Sequence, residues 1–511
     1  MKKIVRFFIA IAFFFTLAYL LIFFPIPSII GIAILMIALG FYDLMQKQHT
    51  ILRNFPVIGH FRYLLEGIGP EIRQYFIESD IDGKPLNRNQ RTYIYSRAKK
   101  QIATHPFGTE NDVQKDGAEW TSHSIYPTQL ITEPPRVKVG GKDCKQPYHA
   151  SILNVSAMSY GSMSKNAIMA LNKGAKGGDF YHNTGEGSIS EYHKMGGDLV
   201  YQVGTGYFGC RDLAGNFSAD HFKVSASIET VKMIEIKLSQ GAKPGHGGIL
   251  PAAKNTEEIA KARGIKPWTD VHSPSAHTKF NTPQGLLQFV QELRELSDGK
   301  PVGFKLCIGN TKEFEDICDA MIETGIKPDF ITVDGSEGGT GAAPIVFSDH
   351  VGMPWENALV FVVKTLRNYR LKDEIRVITS GKIVDGFDIF KALSLGADLC
   401  NSARAMMLAL GCIQALECHK NTCPTGVATT NPNLYRGLVV EDKWERVMNY
   451  QKSTVKDFLE VFSAAGCKEL TDLNSHKIFK QIGGKAVPFS KIYPELVENE
   501  LIGLDKKIHV N

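Results

Sequence analysis

Phe330-Ile331-Thr332-Val333-Asp334-Gly335-Ser336-Glu337-Gly338-Gly339-Thr340-Gly341-Ala342-Ala343-Pro344 is the stretch on which the reading of the fold turns. Phe330–Asp334 is an apolar, β-branched run of strand length that ends in a carboxylate and a cluster of glycines. Glu356–Tyr369 follows with helical spacing, and Arg376–Ser380 is a second such run, closed by Gly381-Lys382. Strand, helix, strand implies parallel pairing with a right-handed crossover. Working outward, the same pattern recurs at Ile152–Ser159, Phe180–Thr184, Leu199–Gly204, Met233–Leu238, Val302–Cys307 and Asp398–Ala403. Amphipathic stretches at Lys312–Thr324 and Phe387–Leu395 separate further pairs. Eight buried-looking strands predict an α/β fold, a closed (β/α)8 TIM barrel over 149–440 whose site lies at the C-terminal strand ends. An open doubly wound sheet is the alternative, because the helices between the early strands are weakly marked.

The rest of the chain sets boundaries. It has 511 residues, 43% hydrophobic and 22% charged, a net charge of +5 and nine cysteines. This excludes a disordered chain, a collagen and a disulfide-dense module. The charge is too mild, and too evenly spread, for a nucleic-acid partner. Cysteines this sparse and odd in number fit a reducing compartment. Residues 49–148 read as a lead-in packed on the barrel, and 441–511 as a helical cap and polar tail.

Phe7–Phe24 is an apolar run of membrane-spanning length, Pro25-Ile26-Pro27-Ser28 interrupts it, and Ile29–Leu44 resumes with one charge, Asp43. Residues 1–48 therefore predict a transmembrane helical hairpin joined by a proline-containing turn. Lys2, Lys3 and Arg6 precede it and Lys47, His49 and Arg53 follow, so both ends face the cytoplasm of a cell inner membrane. A signal peptide or a single long anchor are the competing readings.

Small residues crowd the predicted strand ends: Ala157, Met158 and Ser159 after the first, Thr184 and Gly185 after the second, Gly338, Gly339 and Gly341 beyond Asp334, then Gly381, and Ala403 with Arg404. Small side chains let backbone amides approach an anion closely. The last two loops of such a barrel are a usual phosphate site, where Arg404 would supply charge-assisted hydrogen bonds. Lys305 stands inside an apolar strand and needs an anion, either a reduced flavin ring or a carboxylate. Together these favour a flat phosphorylated cofactor, FMN first. Cys412, Cys418 and Cys423 lie close in sequence, with proline after the last. Their spacing suits a three-iron cluster, a four-iron cluster with an outside ligand, or zinc with His419.

These motifs together resemble the synthase domain of glutamate synthase, over residues 150–465. Most specific is Gly411–Ala428 (GCIQALECHKNTCPTGVA), followed by Lys243–Pro251 (KPGHGGILP) and Asp334–Pro344 (DGSEGGTGAAP). The whole chain is closer still to stand-alone, membrane-anchored members of that family. The resemblance implies FMN beside a [3Fe-4S] cluster held by Cys412, Cys418 and Cys423. It also implies reductive amination of 2-oxoglutarate by ammonia, with electrons from ferredoxin or an NAD(P)H-oxidising subunit. It places Glu186 and Lys243 at the oxo acid. Two departures follow: a membrane segment stands where full glutamate synthases carry a glutaminase domain, and His246 and Ile249 replace the family's Glu and Gln. The first implies that ammonia is free or delivered by a partner; the second opens the substrate to change, with His246 a candidate general acid or a loop cap. An FMN enzyme acting on another amino acid or amine, and a non-catalytic electron relay at the membrane, are the alternatives.

Overall fold

The computed structural model describes residues 15, 16, 19, 22, 23, 25–102 and 104–497. The chain divides after Pro85 into two compact units. Most of the expected first membrane segment, Phe7–Phe24, lies outside the described residues. Among those described, one helix, Ile26–Met45, is long and apolar enough to cross a membrane. It begins at Pro25, so the four residues expected to form a turn are its first turn instead. Proline lacks an N–H, which a helix's first turn leaves unbonded in any case. Asp43, the lone charge, is fully buried: it accepts from the Val57 N–H at 2.8 Å and lies 2.9 Å from His60 Nε2. These contacts fix the end of the apolar helix to the turn before helix Gly59–Ile72.

The second unit is built on a closed, all-parallel barrel of eight strands: β1 (Leu153–Val155), β2 (His182–Asn183), β3 (Leu199–Val203), β4 (Val231–Lys237), β5 (Val302–Leu306), β6 (Phe330–Asp334), β7 (Arg376–Ser380) and β8 (Leu399–Ser402). Every run predicted from sequence holds a strand, and closure of β8 onto β1 through Cys400–Leu153 pairing removes the open-sheet alternative. Helices Thr311–Thr324, Trp355–Asn368 and Gly386–Ser394 stand where periodicity predicts them.

Alternation along the strands sorts the interior by height. Tyr181, Val200, Met233, Phe330, Ile378 and Leu399 fill the bottom, where Val139 and Ala150 of a two-stranded hairpin (Arg136–Val139 and Tyr148–Ser151) plug it. Higher up the lining becomes polar, with Asn183, Gln202, Glu235 and Thr332. Lys237, Lys305 and Asp334 lie at the rim. The outer layer closes with helix Val440–Ala464 against helix Lys165–Gly178. The approach is close enough that a Cβ on Gly174 would lie 2.9 Å from the backbone of Trp444 and the side chain of Val447.

The tail differs from expectation. Ile478–Ile482 and Lys485–Pro488 form a hairpin about Gly483-Gly484, and Ile478–Ile482 pairs with Glu119–Thr121 of the lead-in. Both glycines have positive φ, the signature of a tight turn. The lead-in itself falls in both units, since its helix Gly59–Ile72 precedes the division at Pro85 and Arg88–Ala98 follows it.

Candidate functional site

At the C-terminal rim, Lys305 Nζ on β5 lies 3.1 Å from Asp334 Oδ2 on β6, both nearly inaccessible to solvent. Asp334 also accepts from the Gly241 N–H at 2.8 Å and from the Ser380 hydroxyl. Burial alone would lower the Lys305 pKa and raise that of Asp334. Opposite charge prevails at both sites: Asp334 and Glu235 hold Lys305 above its ordinary value, and Lys305 holds Asp334 below its own. The pair is therefore ionised, and the anion that Lys305 needs is a carboxylate. Beneath it Glu235 accepts from Asn183 Nδ2 at 2.7 Å, Gln202 Nε2 at 2.6 Å and Thr332 Oγ1 at 2.7 Å. A buried carboxylate with three neutral donors is well satisfied.

A second charged group adjoins the first. Lys237 Nζ on β4 meets Glu186 Oε1 at 2.7 Å and Gln240 Oε1 at 2.6 Å. Burial would raise the Glu186 pKa, but Lys237, Arg263 and Lys243 lower it. Lys243 is buried and donates to the Gly247 carbonyl at 3.0 Å; burial and the neighbouring Lys237 lower its pKa. Burial brings Arg263 down to about 10. The structure thus places Glu186 and Lys243 in one electrostatic group with Lys237 and Arg263. His246 is turned to its own loop: Nδ1 lies 2.9 Å from the Gly247 carbonyl and the ring meets Phe347 edge-on. Ile249 pairs with His272 in a short sheet.

The small residues form a cradle around these charges. Met158 N–H donates to the Asn183 carbonyl at 3.1 Å, and a Cβ on Gly185 would press within 2.9 Å of the Ser159 nitrogen. Half-buried Ala157 precedes them. Thr184 is buried, its hydroxyl accepting from the Gln202 N–H. Gly338 N–H donates to the Gly335 carbonyl at 2.8 Å. Arg404, first residue of a helical turn after Ala403, donates to the Glu337 carbonyl. A Cβ on Gly339 would lie 3.0 Å from Arg404, and one on Gly381 2.8 Å from Trp355. Arg404 is a guanidinium beside exposed Gly339 on a rim of small residues, a charge that fits the phosphate of a flat cofactor.

The glycine loop continues to the cysteines, for a Cβ on Gly341 would lie 3.4 Å from Cβ of Cys418. Burial pushes the Cys412 thiol up to about 12, and Cys418 and Cys423 add to the rise. Cys423 goes the other way. Burial would raise it, but the N–H groups of Ala428, Thr425 and Val427 and the Thr425 hydroxyl favour its thiolate. Among the described residues no three His, Cys, Asp or Glu side chains converge on a point where a single ion would bind, and His419 is exposed. Cys412, Cys418 and Cys423 share one loop and act on one another electrostatically.

A family model described as the conserved region in glutamate synthase matches residues 130–468, which contain the whole barrel and the cysteine loop. The chain belongs to the glutamate synthase family. It is 36% identical to the glutamate synthase large subunit-like protein YerD of Bacillus subtilis (strain 168), over 92% of this chain and 98% of that protein. The archaeal-type glutamate synthase [NADPH] of Thermotoga neapolitana is 34% identical over 63% of this chain and 61% of its own length. The archaeal glutamate synthase [NADPH] of Methanocaldococcus jannaschii is 35% identical over 63% and 60%. Among solved structures, a mandelate oxidase covers 77% of this chain and 90% of its own at 15% identity, with a TM-score of 0.43.

Within this glutamate synthase family member, several site residues escape the sequence reading. Glu235 and Lys237 stand in Met233-Ile234-Glu235-Ile236-Lys237, where charge alternates with isoleucine as it would in a half-exposed strand. Arg263 has no local signal: it reaches the site from helix Glu257–Arg263, where its guanidinium donates to the Tyr160 carbonyl at 3.0 Å.

Proposed function

We propose that this protein is an FMN-dependent, glutamate synthase-like oxidoreductase that reductively aminates an oxo acid, 2-oxoglutarate to L-glutamate, with electrons delivered through a [3Fe-4S] cluster. The family is one of oxidoreductases acting on the CH–NH2 group of donors. The observation that carries the reading is the rim itself. An ionised Lys305–Asp334 pair, the Glu186–Lys237–Lys243–Arg263 group and a small-residue cradle ending at Arg404 share one face of the barrel.

FMN, when bound, supplies hydride transfer, and the cluster supplies single-electron steps. Ala157–Ser159, Thr184, Gly185, Gly338, Gly339, Gly381, Ala403 and Arg404 would hold the flavin, and Cys412, Cys418 and Cys423 the iron. Lys305, Asp334 and Gly341 would complete the flavin site, Lys305 supplying the positive charge that a reduced flavin ring would need. Lys243 and Arg263 suit the carboxylate of an oxo acid, an ammonium and a guanidinium being good partners for it. Glu186, kept ionised by Lys237, accepts hydrogen bonds from the nitrogen that becomes the amine. His246, bonded to its own loop, serves as a cap. Ammonia and the electron donor, ferredoxin or an NAD(P)H-oxidising subunit, come from outside the chain. Helix Ile26–Met45 is exposed along nearly its whole length; this supports attachment to a cell inner membrane, as half of a helical hairpin, with the catalytic unit in the cytoplasm.

Anaerobic purification of the full chain in detergent, with a visible spectrum and flavin and iron analysis, tests the cofactors. Flavin bands and about three irons per chain are expected. Folded protein with neither cofactor overturns the reading. Loaded, reduced protein that forms no amino acid from any of a panel of oxo acids with ammonia overturns the reaction.

A further inference from the structure

We infer that Lys254 is the counter-charge of the cysteine cluster and sets how readily that cluster takes up an electron. The inference rests on the cluster reading above.

Lys254 lies in the turn Ala252–Lys254 beyond β4 and is 4% exposed. Its ammonium donates to the Ser162 carbonyl at 3.2 Å and the Ala428 carbonyl at 3.1 Å. Both are neutral acceptors. A buried ammonium is strongly unfavourable without an anion: buried Lys305 has Asp334, buried Lys391 has Glu119 and Glu356, and part-buried Lys237 has Glu186, whereas Lys243, assigned above to the oxo acid, reaches only a carbonyl, as Lys254 does. Among the described residues no carboxylate reaches Lys254. Burial lowers the Lys254 pKa, and the ionisable groups that oppose this and favour its charge are the thiols of Cys418 and Cys423.

The surrounding bonds make this placement firm. Ala428 offers its carbonyl to Lys254 and its N–H to the Cys423 thiol. Asn421, inside the cysteine loop, donates to the Ala253 carbonyl at 3.1 Å and accepts from the Thr430 N–H at 2.8 Å. Ser162 belongs to the loop that follows Ala157–Ser159. One ammonium thus joins the loop assigned to the flavin to the loop assigned to iron, and thiolates provide the anion that it lacks. A fixed positive charge in a poorly polarisable interior stabilises the more reduced, more negative state of a cluster and raises its potential.

The test uses full-length wild type, Lys254→Gln and Lys254→Arg, purified without air, with iron analysis and an EPR-monitored redox titration. Gln keeps two donors for the two carbonyls and removes the charge; Arg keeps the charge. The expected result is a lower cluster potential in Lys254→Gln and a near wild-type one in Lys254→Arg. Loss of iron from the Gln variant alone supports the inference equally, since charge would then be needed to retain the cluster. Equal potentials in Lys254→Gln and wild type overturn it, as do equal shifts or equal iron loss in both variants, which would mark a packing role. Folded wild type without iron overturns the cluster reading itself, a result distinct from these.

Discussion

At the scale of single residues, the rim depends on charges that hold one another in place. Asp334→Asn leaves the Lys305 ammonium buried without its partner, and we expect it to cost about 3–5 kcal/mol of stability in urea denaturation. Lys305→Met combined with Asp334→Asn should cost less than the two single losses added together. The histidines make a prediction about acid. Burial lowers the His193 pKa to about 4, and its Nδ1 accepts from the Ser190 N–H. Its pKa lies below the unfolded value near 6.5, so the unfolded chain binds the proton first. Stability is then complete above about pH 6.5 and declines as pH falls toward 4, by up to about 3 kcal/mol for this residue. Melting temperature measured from pH 7.5 to 5 should fall in wild type and fall less in His193→Gln. The asymmetry in what the sequence revealed belongs to this scale too. Lys305 was visible because glycine and bulky apolar residues surround it in Gly303-Phe304-Lys305-Leu306. Glu235 and Lys237 alternate with Ile234 and Ile236, a pattern that reads equally as a strand with one wet face. Only barrel closure turns that face inward.

At the scale of elements, the eight strands were legible because a parallel strand covered on both faces is apolar throughout, and its end is marked by small residues. The C-terminal sheet was not legible, because Ile478-Phe479-Lys480-Gln481-Ile482 is a half-exposed strand whose partner, Glu119–Thr121, lies far away in sequence. Its one local signal is Gly483-Gly484. Trp120 and Phe479 stack across this sheet at 5.8 Å. Phe479→Asp should raise hydrogen exchange at Glu119–Thr121 and in the hairpin while leaving β1–β8 protected. Gly174→Val should force helix Val440–Ala464 away from its neighbour and cost about 1–3 kcal/mol, read as a lower urea midpoint with an unchanged slope.

At the scale of the whole molecule, the apolar helix and the barrel have separate physics, and the division at Pro85 lets them be tested apart. Full-length chain mixed with phospholipid vesicles should float with them in a density gradient. A chain beginning at Leu86 should stay in the dense fraction and keep its flavin. The proline pair belongs to this scale too: Pro25 and Pro27 look like punctuation, and they stand in the first turn of the helix Pro25–Met45. The clasp between Glu119–Thr121 and Ile478–Ile482 also bears on how the chain is made. Roughly 360 residues separate the two strands, so at ~5–20 residues per second the first waits about 20–70 s for its partner to leave the ribosome. Until then its edge stays open, and a chain whose translation stops early never closes it. Pairing of Ile478–Ile482 with Glu119–Thr121 therefore reports that translation has passed residue 482, since until then an edge near the beginning is still available to a chaperone or a protease.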